Sequence, residues 1–89
     1  MSNKNEVSTM YSLPICAINK NGLMEIFETL SHFSFQIMIK NGDYIVDAHS
    51  LIGVFSLDIK KPIELLLQSE PDDEFKAAVA PFTLASVSN

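Results

Sequence analysis

The sequence predicts an α+β fold: an open-faced sandwich in the order β-α-β-β-α-β-α, with three helices on one face of a four-stranded antiparallel sheet. Three observations lead there. Two runs that alternate apolar and polar residues flank an Asn-Gly pair, the local signature of a β-hairpin. Two other segments carry their apolar residues on single helical stripes. Strands and helices that are each apolar on one side are accommodated by one sheet covered on one face. The chain has 89 residues, which is room for one domain. That domain is assigned to residues 11–89, behind a polar Ser- and Asn-containing arm at 1–10 that is expected to be flexible.

Residues 11–18 form the first strand, with Leu13, Ile15 and Ala17 on one face. Pro14 has no N–H to donate, which assigns this strand to a sheet edge. Asn19-Lys20-Asn21-Gly22 then breaks it. Residues 23–33 read as a helix, with Leu23, Ile26, Phe27, Leu30 and Phe33 on one side and Glu25, Glu28, Thr29 and Ser31 on the other. Asn21 is its expected N-cap, and Glu25 is placed in or near the first turn. Residues 34–40 alternate, with Phe35, Ile37 and Ile39 on one face. Asn41 and Gly42 are the expected turn, both at positive φ, and residues 43–48 return as the third strand.

Residues 50–57 read as a short helix that Ser50 caps and Gly53 weakens. It is too short to bury Leu51, Ile52, Val54 and Phe55 together, so about half of this cluster belongs to the core and half to the surface. Lys60-Lys61-Pro62 is a turn, and residues 63–68 are the last strand. Ser69 as a cap, Pro71 near the first helical position and Asp72, Asp73 and Glu74 in the first turn open the last helix. Phe75, Ala78, Val79 and Phe82 form its buried stripe. Pro81 ends or bends it, and the tail from Thr83 is expected to fray.

Composition narrows the function. The chain is 47% hydrophobic and 19% charged, which is globular rather than disordered. Its net charge is −5, and all six cations are lysines. That balance suits neither nucleic acid nor an anionic membrane surface. No apolar run is long enough to cross a bilayer, and residues 1–12 lack the apolar stretch of a signal peptide. The expected location is the cytoplasm.

Cys16 is the only cysteine, which rules out an internal disulfide; it reads as a small buried hydrophobe. No Cys/His cluster, glycine-rich phosphate loop, catalytic triad or paired-carboxylate spacing is present. The run Asp72-Asp73-Glu74 is better explained by the helix dipole than by a metal. No enzymatic activity, metal or cofactor is therefore expected.

The order of elements resembles that of HPr, the phosphocarrier of bacterial sugar transport by the phosphotransferase system. Three stretches within about residues 11–82 carry the resemblance. Asn21-Gly22-Leu23 resembles the loop that precedes the phosphorylated histidine. His49-Ser50-Leu51-Ile52-Gly53-Val54-Phe55-Ser56-Leu57 is similar to Lys-Ser-Ile-Met-Gly-Val-Met-Ser-Leu of Gram-positive HPr proteins, whose serine is the target of a regulatory kinase. Asp72 to Val79 is similar to the start of the last HPr helix. The middle stretch is the most specific.

The resemblance breaks where HPr does its chemistry. After Asn-Gly-Leu, HPr has His-Ala-Arg-Pro; this chain has Met24, Glu25, Ile26 and Phe27. An imidazole nitrogen attacks a phosphoryl group, and a helix N-terminus and an arginine steady the charge that arrives. A thioether cannot play that part. The resemblance thus implies a divergent member, with Met24 in the phospho-histidine position.

Ser50 is either a plain N-cap or a regulatory phosphorylation site, and the two roles are compatible. His49 and His32 read as ordinary histidines. The exposed part of Leu51, Ile52, Val54 and Phe55, extended by Met24 and Phe27, is the candidate partner-binding surface. The resemblance points to a kinase, a transcription regulator or a transport component as partner, and a second copy of the chain is equally compatible. Two functions follow: a non-catalytic regulatory or interaction module of the phosphotransferase system, or an assembly subunit on the same fold.

Overall fold

Period-two alternation builds four strands, β1 (Tyr11–Ile15), β2 (Ile37–Asn41), β3 (Tyr44–Asp47) and β4 (Ile63–Leu67), in the computed structural model of residues 11–83. Three helices join them: α1 (Lys20–Leu30), α2 (Leu51–Phe55) and α3 (Asp73–Val79). A 3-10 turn at Ala80–Phe82 follows α3. The arm expected at 1–10 and the tail beyond Thr83 lie outside the described residues. The sheet is antiparallel throughout, in the order β1-β4-β2-β3, so Pro14 does lie on an edge strand.

Ile15, Ile37, Ile39, Val46, Ile63, Leu65 and Leu67 are buried on one face of the sheet. They pack with Leu23, Ile26 and Leu30 of α1, Val54 of α2, and Phe75 and Val79 of α3 in a single core. Phe75 is fully buried and meets Phe33 edge-on at 5.0 Å between ring centres. A buried aromatic of this kind contributes about 2–3 kcal/mol. The architecture is the one the sequence predicts.

Several boundaries differ, each for a local reason. β1 ends at Ile15 rather than residue 18, because its partner strand begins at Ile63, directly after Pro62, which has no N–H for the ladder. Beyond that point Cys16 donates its N–H to the carbonyl of Phe82 at 2.8 Å, and Ile18 is exposed. Cys16 is half-buried rather than buried. β2 starts at Ile37, opposite the last residue of β4, so Phe35 has no strand beside it. Phe35 is 46% exposed and lies against Phe33 and Phe75 instead.

α1 begins three residues before the expected start. Its N-cap is Asn19, whose side chain accepts from the Gly22 N–H at 3.0 Å; Asn21 is inside the helix and Glu25 lies beyond the first turn. Gly22, read as a breaker, is a contact residue: a Cβ there would stand 3.2 Å from the Ala17 Cβ. In the hairpin, Asn41 pairs with Tyr44, so the two turn residues are Gly42 and Asp43, and only Gly42 has positive φ (65°). Positive φ at the first turn residue alone is the type II′ pattern. The α3 cap is Asp72, which accepts from the Phe75 N–H at 2.9 Å, so Ser69 is not the cap and Pro71 precedes it.

Candidate functional site

The N-terminal end of α1 and the paired surfaces of α1 and α2 are the two places where the sequence put chemistry. At the first, Asn19 occupies the cap position, with extended backbone (φ −156°). A shallow cleft of about 400 Å³ opens beside it, lined by Cys16, Ala17, Ile18, Glu25, Pro81 and Phe82 among others. Its one charged residue is a carboxylate. The cation of α1, Lys20, reaches away and donates its Nζ to the carbonyl of Phe55 at 2.7 Å. A helix N-terminus attracts anions, but with Glu25 beside it and no cation turned inward this cleft is poorly suited to a phosphoryl group.

The stretch Asn21-Gly22-Leu23, which resembles a loop, is helical. Met24 therefore lies in the second turn of α1, half-buried, and not at the helix N-terminus. Met24, which the resemblance puts in the phospho-histidine position, thus lies one turn inside α1. The residue at the head of α1 is Asn19, and a carboxamide is no better a phosphoryl acceptor than a thioether.

Two contacts set α1 and α2 side by side and antiparallel. Lys20, at the start of α1, holds the end of α2 through the Phe55 carbonyl. A lysine there also suits the negative end of the α2 dipole. His49, just before α2, places its Nε2 at 2.8 Å from the Phe33 carbonyl and 3.2 Å from that of Leu30, at the end of α1. Between these ties, Lys20, Met24 and Phe27 share one stripe of α1 at i, i+4, i+7 spacing, turned toward α2.

On α2, Val54 is fully buried. It was grouped with the partner-facing residues, but it belongs to the core. Leu51 is 44% exposed, Ile52 83% and Phe55 36%, and Met24 and Phe27 of α1 are half-buried. Gly53 packs on β3, where a Cβ would stand 3.2 Å from the Val46 Cβ. Ser50 caps α2 by accepting from the Gly53 N–H at 3.1 Å, and its side chain is at the surface.

Neither histidine is placed for phosphoryl transfer at a helix N-terminus. His32 is exposed just past the end of α1. His49 faces two carbonyls through Nε2, so that nitrogen carries the proton and has no lone pair to offer. Its Nδ1 stands 3.6 Å from the Asp47 carboxylate, which would repel an incoming phosphate. Among the described residues no group of three or more His, Cys, Asp or Glu side chains could hold a metal ion. No helix of the described residues is long and apolar enough to cross a membrane.

Sequence reasoning missed Asn41. This residue is 4% exposed and is the only buried polar side chain among the described residues. Its Oδ1 accepts from the Asp58 N–H at 2.8 Å, and its Nδ2 donates to the carbonyls of Asp58 (3.1 Å), Pro62 (3.0 Å) and Lys61 (3.4 Å). It fastens the connection that leaves α2 to the hairpin. The Asn-Gly signal that marked it as a turn residue concealed this role.

No protein-family model matches the chain, and no curated protein matches it. Among solved structures it is similar to the crystal structure of HPr-C-His from Thermoanaerobacter tengcongensis. The match covers 91% of this chain and 97% of that one, with a TM-score of 0.63 and 19% identity. At that identity the likeness shows the fold, and the fold is HPr-like.

Proposed function

We propose that this chain is an HPr-like protein that does not relay phosphate through the usual histidine and works instead as a non-catalytic regulatory or interaction module of the sugar phosphotransferase system in the cytoplasm. One observation carries this reading. The fold is kept while the head of α1 holds Asn19, hydrogen-bonded to its own helix, and both histidines of the described residues lie elsewhere. The protein is no enzyme and needs no cofactor; its working part is the surface of Met24, Phe27, Leu51, Ile52 and Phe55. The similarity of residues 49–57 to the kinase-recognised segment of HPr supports phosphorylation at Ser50 as the switch, since its side chain is at the surface at the border of this patch.

Intact mass after incubation with a Gram-positive HPr kinase and ATP tests the switch. The expected result is one added phosphate that Ser50→Ala removes. If authentic HPr is phosphorylated in the same tube and this protein is not, Ser50 is a helix cap only and the assembly reading takes precedence.

A further inference from the structure

We propose that Asn41 is a latent self-modification site, whose carboxamide the chain itself converts to a carboxylate once the staple that holds it opens. Asparagine followed by glycine is the pair most prone to this reaction, because a backbone nitrogen with no side chain beside it is the least hindered nucleophile. The sequence has two such pairs, Asn21-Gly22 and Asn41-Gly42. The Gly42 backbone nitrogen attacks Cγ of Asn41, the bond from Cγ to Nδ2 breaks, and ammonia leaves with the proton that Gly42 gives up. Water then opens the succinimide ring at either carbonyl, to aspartate or to isoaspartate. No other reactant is needed.

The fold blocks each pair at a different atom. In α1 it holds the nucleophile: Gly22 donates its N–H to Asn19 Oδ1 at 3.0 Å, while the Asn21 side chain is exposed. In the hairpin it holds the electrophile. Asn41 is 4% exposed, its Oδ1 accepts from the Asp58 N–H, and its Nδ2 donates to the carbonyls of Asp58, Lys61 and Pro62. Fixed at both ends, the carboxamide cannot turn its Cγ to the Gly42 nitrogen. All of these partners lie in one connection, residues 58–62, so one local opening frees it.

The step is one-way. Aspartate sets a carboxylate oxygen against three carbonyls. Isoaspartate routes the backbone through Cγ, and the added methylene is incompatible with the pairing of residue 41 with Tyr44 across a two-residue turn. A molecule that opens for long enough is marked and does not close again. The modified fraction therefore records how often the connection after α2 opens.

The test incubates the full chain in mildly alkaline buffer, with and without guanidinium chloride, and then digests it with trypsin. Cleavage after Lys20 and Lys40 puts Asn21 and Asn41 in separate peptides, whose masses read the exchange of NH2 for OH. In native buffer Asn41 is expected to convert on the order of a hundredfold more slowly than in guanidinium, the factor that its three good hydrogen bonds supply. Asp58→Ala removes the bond from the Lys60 N–H to Asp58 Oδ1 at 3.0 Å, within this connection. It should speed Asn41 in native buffer about fivefold and leave Asn21, and both rates in guanidinium, unchanged. Converted chain returned to native buffer should unfold at lower denaturant than unconverted chain. Gly42→Ala, read only in guanidinium, where folding plays no part, should slow conversion at Asn41 alone.

Native conversion at Asn41 within about threefold of its rate in guanidinium overturns the inference. So does an Asp58→Ala variant that converts no faster than the parent, a converted chain as stable as the parent, or conversion in guanidinium confined to Asn21. Partner binding and phosphoryl transfer are scored in separate assays, and none of these outcomes changes them.

Discussion

Replacing Asn41 tests the polar staple that holds the exit of α2. Three of its hydrogen bonds, at 2.8, 3.0 and 3.1 Å, are of good length, and the fourth, at 3.4 Å, is weaker. Asn41→Ala removes them all and leaves the Asp58 N–H and three carbonyls short of a partner. At about 1 kcal/mol net for each good bond, the expected cost is about 3 kcal/mol. For a domain of this size that lowers Tm by roughly 12–24 °C. Asn41→Asp keeps the shape and the acceptor but sets a carboxylate oxygen against the carbonyls of Asp58, Lys61 and Pro62. At neutral pH it should cost more than alanine does. The chain has no tryptophan, so urea unfolding is best followed by far-ultraviolet circular dichroism. An alanine variant within about 0.5 kcal/mol of the parent, or an aspartate variant as stable as the parent, would refute the reasoning.

Two further substitutions probe how the candidate surface is held. His49→Ala removes the tie between the start of α2 and the carbonyls of Leu30 and Phe33, which should cost about 1–2 kcal/mol and speed hydrogen exchange in α2. Unchanged exchange would show that α2 is held by packing alone. Gly53→Ala should destabilise by about 1 kcal/mol despite the higher helix propensity of alanine, because the new Cβ meets Ser50 Oγ and Val46 Cβ at 3.2 Å. Ser50 is fixed as a cap and Val46 is buried, so neither can yield. A stabilised variant in thermal melts would contradict this account of why the position is glycine.

The pattern of apolar residues made the architecture legible. Ile37, Ile39, Ile63, Leu65 and Leu67 alternate in the sequence, and they are buried in the fold. The stripes Leu23-Ile26-Leu30 and Phe75-Val79 were legible for the same reason. Both rest on short-range periodicity, which the chain expresses locally. What stayed hidden depends on contacts between distant residues. Gly22 reads as a breaker until Ala17 is seen packed against it, and Gly53 reads as a weakness until Val46 is. Phe35 looks like a strand residue because nothing local says that β4 stops at Leu67.

The candidate site was legible in part. Ser50 as the cap of α2 and a partly exposed cluster among Leu51, Ile52, Val54 and Phe55 follow from the sequence, although three of the four rather than half are exposed. The burial of Val54 does not follow from its neighbours, which are equally apolar. The helical state of Asn21 and Gly22 was masked by a resemblance to a loop. The ties made by Lys20 and His49 to backbone carbonyls 35 and 16–19 residues away leave no mark in either segment.

The central claim is that this HPr-like fold does not carry phosphate on a histidine. The most direct measurement is intact mass after incubation with phosphoenolpyruvate and enzyme I of the phosphotransferase system, with authentic HPr in a parallel tube. The account predicts no added phosphate on this chain while HPr is fully charged. An added phosphate that His49→Gln or His32→Gln abolishes would contradict it and make the protein a phosphocarrier with a displaced histidine.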